Sequence, residues 1–247
     1  GSSALAAVSS SGSLIFMLIG FLSGISAGAG VIVARFFGAG DEKNLQRAVH
    51  TTVAFGLVAG VLMTGVGVAL SPQILRWMDT PESVMRESVT YLQIYFAGSL
   101  GFVMYNVLVG ILQAVGDSRH PLYYLIVSSV INLVLDLLFI TGFHTGVGGA
   151  AVATVISQIV SALLCFWQLL RTKESYGLKI RKIRFDKGIL VQIIKIGLPS
   201  GVQNSIIAFA NVIVQSNINA FGEMAMAGYG AYTKVEGFGF LPNNSFT

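Results

Sequence analysis

The chain has 247 residues, of which 54% are hydrophobic and only 11% charged, with a formal net charge of +4. Soluble domains carry about 25% charged residues, so this composition excludes a water-soluble globular fold and makes lipid the expected solvent. One cysteine, Cys165, inside an apolar run excludes a disulfide framework and a CxxC metal or redox motif.

A spanning helix needs about 20 mostly apolar residues, and seven such windows follow one another. They are span A (Leu14 to Ala34), B (Thr51 to Leu75), C (Tyr91 to Gly116), D (Pro121 to Thr141), E (Val147 to Leu170), F (Ile196 to Gly222) and G (Met224 to the end). Small residues scattered through them fit close packing of helices in lipid. The ten-residue alternating segments of a β-barrel are not seen. The expected fold is therefore an all-α polytopic bundle of about six complete spans and a partial seventh.

The start, GSSALAAVSSSG, lacks the basic n-region of a cleavable signal. Within and after span A, Gly28-Ala29-Gly30 and Gly38-Ala39-Gly40 are not followed by GK[ST], so they read as helix packing and a helix stop rather than phosphate loops. Span C places Ser99, Asn106 and Gln113 on one face beside Phe102. Between E and F, Gly188 to Ile196 is apolar apart from Gln192 and Lys195, and reads as an interfacial helix before Gly197-Leu198-Pro199 opens span F. Span F carries Ser200, Asn204, Asn211, Gln215 and Asn219, spaced by 4, 7, 4 and 4, as one polar stripe. Span G holds Lys234 and Glu236, too close in sequence to share a face.

The A to B loop holds Arg35, Lys43 and Arg47, the C to D loop Arg119, and the E to F loop eight basic residues from Arg171 to Lys195. All three fall on one side of the bilayer by parity. The positive-inside rule puts them in the cytoplasm and residue 1 outside. An external start without a signal implies a further helix upstream, and the uncharged end at Pro242 to Ser245 implies continuation, so a chain truncated at both ends is expected. The basic excess is juxtamembrane, which argues against nucleic acid as a partner.

Asp136 is the one charged residue inside spans A to F. An acid at mid-helix costs roughly 2.5 to 3.5 kcal/mol on insertion scales, so a function is expected to repay it. Asn132 lies one turn earlier on the same face, continued by Ser128. If D and E form an antiparallel hairpin, Thr154 reaches the same depth as Asp136. A carboxylate, an amide and a hydroxyl in a poorly hydrated pocket suit a proton or a Na⁺ ion, with no other metal expected. No HExxH, GxSxG or Cys/His cluster is present, so no enzyme machinery and no cofactor are expected.

Several stretches resemble the multidrug and toxic compound extrusion (MATE) transporters. They are Ala34-Arg35-Phe36-Phe37-Gly38-Ala39-Gly40-Asp41, Gln113-Ala114-Val115-Gly116-Asp117-Ser118-Arg119-His120-Pro121, and Gly146 to Thr154 (GVGGAAVAT), with Asn132-Leu133-Val134-Leu135-Asp136 and Ile196-Gly197-Leu198-Pro199. The resemblance runs nearly end to end. It implies two six-helix lobes rocking about a central cavity. Residues 1–187 then hold helices 2 to 6 of the first lobe, and 188–247 open the second with an interfacial helix, helix 7 and part of helix 8.

The resemblance further implies exchange of cationic or amphiphilic compounds for H⁺ or Na⁺, in the plasma membrane. It assigns cation coupling to Asp136, Asn132 and Thr154, and a substrate path to Tyr91 and Asn106, joined by Asn204, Asn211 and Gln215 from the stripe. The expected partners are the substrates, the bilayer and the rest of the same chain. Two departures stand out. The acid of family helix 1 lies upstream of this chain, and span F has amides where some members carry a glutamate. Two rival readings are a flippase for lipid-linked saccharides, which would need a strongly cationic cavity, and a membrane scaffold without transport.

Overall fold

The computed structural model describes residues 23–77, 82–143, 145–219 and 239. Among them every regular element is a helix, without strands. The helices are α1 (Ser23–Gly38), α2 (Glu42–Trp77), α3 (Glu82–Ala97), α4 (Ser99–Ala114), α5 (Arg119–Leu137), α6 (Gly146–Arg171) and α7 (Lys187–Asn219). Span G, with Lys234 and Glu236, and the first part of span A lie outside the described residues.

Glycine followed by aspartate ends one helix and starts the next at two places. Gly40 (φ +65°) and Gly116 (φ +86°) adopt the left-handed conformation that costs glycine nothing. In each case the next amide reaches back a full turn, Asp41 N–H to the Phe36 carbonyl and Asp117 N–H to that of Leu112. The same aspartates then cap the following helix. Asp41 accepts from the Asn44 amide at 3.1 Å and Asp117 from the His120 amide at 3.2 Å. The backbone bond from Asn44 is the main cause that holds the Asp41 carboxyl below the usual range.

Span C differs from expectation. Its helix begins earlier, at Glu82, and breaks at Gly98, where the two halves meet at 47°. A Cβ on Gly98 would lie 2.4 Å from a methyl of Val155 in α6, so the bend follows a close approach that only glycine permits. The end of span D also changes. Leu138–Gly142 winds as a π-helix, and the Phe143 amide donates to the Leu138 carbonyl at 3.0 Å.

The expected interfacial helix at 188–196 is not separate, since α7 runs unbroken for 33 residues with Pro199 inside it. At 1.5 Å per residue that is about 50 Å, enough to cross the bilayer and project beyond it. Proline removes one hydrogen bond there without ending the helix.

α2, α6 and α5 with its π-turn are each long and apolar enough to cross a membrane, and the bent pair makes a fourth crossing. α4 lies at the centre. Its Val107, Leu108, Ile111 and Leu112 join Ile32 and Val33 of α1, Val49 and Val53 of α2, Cys165 and Leu169 of α6, and Ile193 of α7. This core sits towards the basic loops, and a smaller cluster of Leu75, Leu92 and Phe96 closes the other end.

The α6–α7 loop is strapped onto α2. Gln46 Nε2 donates to the carbonyls of Ser175 and Gly177, buried His50 accepts the Lys179 amide at 3.0 Å on Nε2, and Thr51 accepts the Asp186 amide at 3.1 Å.

Candidate functional site

α5 turns apolar side chains such as Leu133 and Val134 outward, as a helix facing lipid must. Ser128, Asn132 and Asp136 recur every fourth residue along the opposite side, with Ser128 buried and the other two half-buried. The antiparallel partner α6 presents Thr154, Ser157, Gln158 and Ser161, also at helical spacing. Between them, with Phe102 and Tyr105 of α4 behind, is a cavity of about 250 Å³ whose lining includes Asn132 and Thr154.

The sequence placed Asn132, Asp136 and Thr154 in one hairpin pocket. The structure brings Asn132 and Thr154 to one cavity and leaves Asp136 one turn farther along α5, with no hydrogen bond among the three. The Thr154 hydroxyl donates to the Ala150 carbonyl of its own helix at 3.0 Å, so only its lone pairs are free for a ligand. The Asn132 Nδ2 and Asp136 Oδ1 atoms are sealed from solvent and have no partner. Leaving such a group unpaired costs about 1 to 3 kcal/mol, more if it is charged. A proton on Asp136 removes the charge, and a hard cation would take up the oxygen lone pairs of the carboxylate and amide.

Tyr91 belongs to this side of the bundle. Its phenol lies close enough to Asp136 to feel the carboxylate charge, and its ring stacks on Tyr95 at 6.4 Å. The Tyr95 phenol in turn lies near Gln158 of α6. Asn106, which the sequence grouped with Tyr91, faces elsewhere. It lines a second cavity of about 430 Å³ between α1 and α4, with Ser23, Ser26 and Gln113, while its Nδ2 donates to the Phe102 carbonyl at 2.8 Å. Phe102 lines the α5–α6 cavity, so α4 divides the two spaces.

In α7, Asn204 is half-buried one turn beyond Gly201, the residue against which α1 packs at Gly24. The side chains of Asn211, Gln215 and Asn219 are outside the description.

Sequence reasoning missed Ser157, Gln158 and Ser161, although their spacing from Thr154 marks a polar stripe on α6. It also missed Tyr95, for which no signal exists. Tyr95 reaches Gln158 from the bent end of α3, and that geometry depends on a contact distant in sequence.

Residues 1–138 match the family model MatE. The chain is 34% identical over 249 residues to the "Probable multidrug resistance protein YoeA" of Bacillus subtilis, covering 98% of this chain and 54% of that protein. The chain thus spans about half the length of the curated relatives it matches. Among solved structures it resembles the inward-facing conformation of a multidrug resistance MATE family transporter of the MOP superfamily, with 27% identity and a TM-score of 0.86 over 98% of this chain and 56% of that one. It also resembles an outward-facing conformation, with 26% identity and a TM-score of 0.87 over 98% and 54%.

Proposed function

As this chain belongs to the MatE family, we propose that it supplies one half of a secondary antiporter that exports cationic or amphiphilic compounds in exchange for H⁺ or Na⁺. The observation that carries the reading is the stranded Asp136 carboxylate oxygen beside the stranded Asn132 amide, in a helix otherwise turned to lipid. Loading a cation there relieves an unsatisfied charge, so occupancy of the site has a free energy to spend on conformation.

The route outward begins two residues beyond Asp136, where α5 becomes π-wound. Neutralising the acid favours one winding of this turn over the other and so biases the tilt of the α5–α6 hairpin against α4. The α1–α4 cavity lies on the far side of α4 and takes the substrate, with Asn106 on its wall. Asn204, Asn211 and Gln215 extend the path along α7. Residues 1–187 form the first lobe, the second opens at 188 in the first turn of α7, and the basic loops face the cytoplasm.

The test is dye efflux by the full-length protein in proteoliposomes under an imposed pH or Na⁺ gradient, comparing wild type with Asp136→Asn. Flux is expected to follow one of the gradients and to fall to the level of empty liposomes in the variant, with folding retained. Undiminished flux in Asp136→Asn would remove the coupling role. No flux under either gradient would remove drug antiport and bring the flippase reading forward.

A further inference from the structure

The largest cavity described, about 680 Å³, lies outside the site above, between the first turns of α2 and the strapped α6–α7 loop. Lys43 and Arg47 line it from α2, and Arg181, Lys182 and Arg184 from the loop. Two acids, Glu42 and Asp186, oppose these five cations. Asp186 is already engaged twice, by Arg47 at 3.4 Å and by the Ile189 amide at 3.2 Å where it starts α7. Among the described residues, no carboxylate lies within ion-pair distance of Lys43, Arg181, Lys182 or Arg184.

Surface lysines and arginines alone would be a solvated face. Here the loop is held by backbone bonds to Gln46, His50 and Thr51, so its three cations face α2 across a fixed gap. The strap also turns Ile180 and Phe185 outward, 61% and 46% exposed, alternating with the basic residues. The neighbouring aromatic residues continue the pattern. Phe37 meets Tyr176 edge-on at 6.2 Å, and Arg171 sits 4.5 Å over the Trp167 ring at the end of α6. Exposed apolar and aromatic side chains interleaved with cations, next to the ends of spanning helices, mark the membrane–water interface.

We infer that this cleft is a binding site for the phosphate of an anionic phospholipid headgroup. The cations take the phosphate, Ile180 and Phe185 enter the acyl boundary beside it, and α2 and the α6–α7 loop are thereby tied to the bilayer surface. The site does not depend on cation coupling at Asp136. A phosphate group also comes free in solution, and the cavity is larger than a lone phosphate ion requires. The exposed apolar pair assigns the lipid source.

The experiment measures binding of phosphatidylglycerol to the full-length protein in nanodiscs. Phosphatidylcholine is the headgroup control, inorganic phosphate the soluble competitor, and Arg119→Gln the control for a basic residue elsewhere. The triple variant Arg181→Gln, Lys182→Gln, Arg184→Gln is expected to bind phosphatidylglycerol about a hundredfold more weakly, or roughly 2.8 kcal/mol at 1.4 kcal/mol per tenfold, the scale of three interfacial charges. Arg119→Gln is expected to bind as wild type does. Equal binding by the triple variant, or equal binding of phosphatidylcholine, overturns the site. Displacement of the lipid by inorganic phosphate at comparable concentration overturns the lipid assignment. Should the triple variant fail to fold, Glu42→Gln provides the opposite sign, since removing a carboxylate from the wall must tighten binding, and unchanged affinity there overturns the proposal.

Discussion

Asp136 and Asn132 are adjacent on α5, yet their stranded atoms do not satisfy each other. A buried polar pair kept for packing would be expected to close that gap. If the pair instead awaits a cation, Asn132→Leu removes an unsatisfied amide and should raise the melting temperature of the ion-free protein, by the equivalent of about 1 to 3 kcal/mol. The same change should weaken the further stabilisation that Na⁺ gives wild type, because it removes a ligand oxygen, and should leave stabilisation by acid, which acts on Asp136, in place. Thermal unfolding with and without the ion reads both effects, and a lowered ion-free melting temperature would make Asn132 a packing residue. Asp136 was legible in the sequence because a charge in a lipid-facing window has an insertion cost that no neighbour disguises. The remoteness of Asn106 from Tyr91 was not legible, because both sit on polar-bearing faces and only the bend decides which neighbours each meets.

Among the helices, boundaries follow local chemistry more closely than shapes do. The Gly40-Asp41 and Gly116-Asp117 pairs stop one helix and cap the next through contacts within a few residues, so the sequence motifs carry their own structural meaning. The break at Gly98 depends instead on Val155, in another helix. Gly98→Ala should force that contact open and cost about 1 to 3 kcal/mol, the range for overpacking. Gly65 in α2, where an added Cβ would meet nothing within 4 Å, is the control. Gly65→Ala should be neutral or stabilising by up to about 1 kcal/mol, from helix propensity alone. Equal melting temperatures for the two variants would show that the Val155 contact does not set the bend.

Across the entire bundle, the decisive contact is the crossing of α1 and α7. A Cβ on Gly28 would lie 2.4 Å from the Gly197 nitrogen, and one on Gly24 would lie 2.2 Å from that of Gly201. Backbone cannot turn aside as Val155 can, so Gly28→Ala should destabilise more than Gly98→Ala. A smaller loss of melting temperature would mean that the two helices separate freely. The fold matches an inward-facing and an outward-facing transporter almost equally, at TM-scores of 0.86 and 0.87.

Residue order alone was enough to establish the solvent, the all-helical class, the helix stops and the one charge inside spans A to F. Each of these follows from terms that add residue by residue, transfer free energy and turn geometry above all. Packing of the bundle was needed to establish which polar faces meet, that α4 separates Asn132 from Asn106, that α3 bends Tyr95 onto Gln158, and that the α6–α7 loop closes with α2 into a cationic cleft. Those outcomes depend on which helices become neighbours. That choice is made by close contacts such as Gly98 on Val155 and Gly28 on Gly197, between residues far apart in the chain.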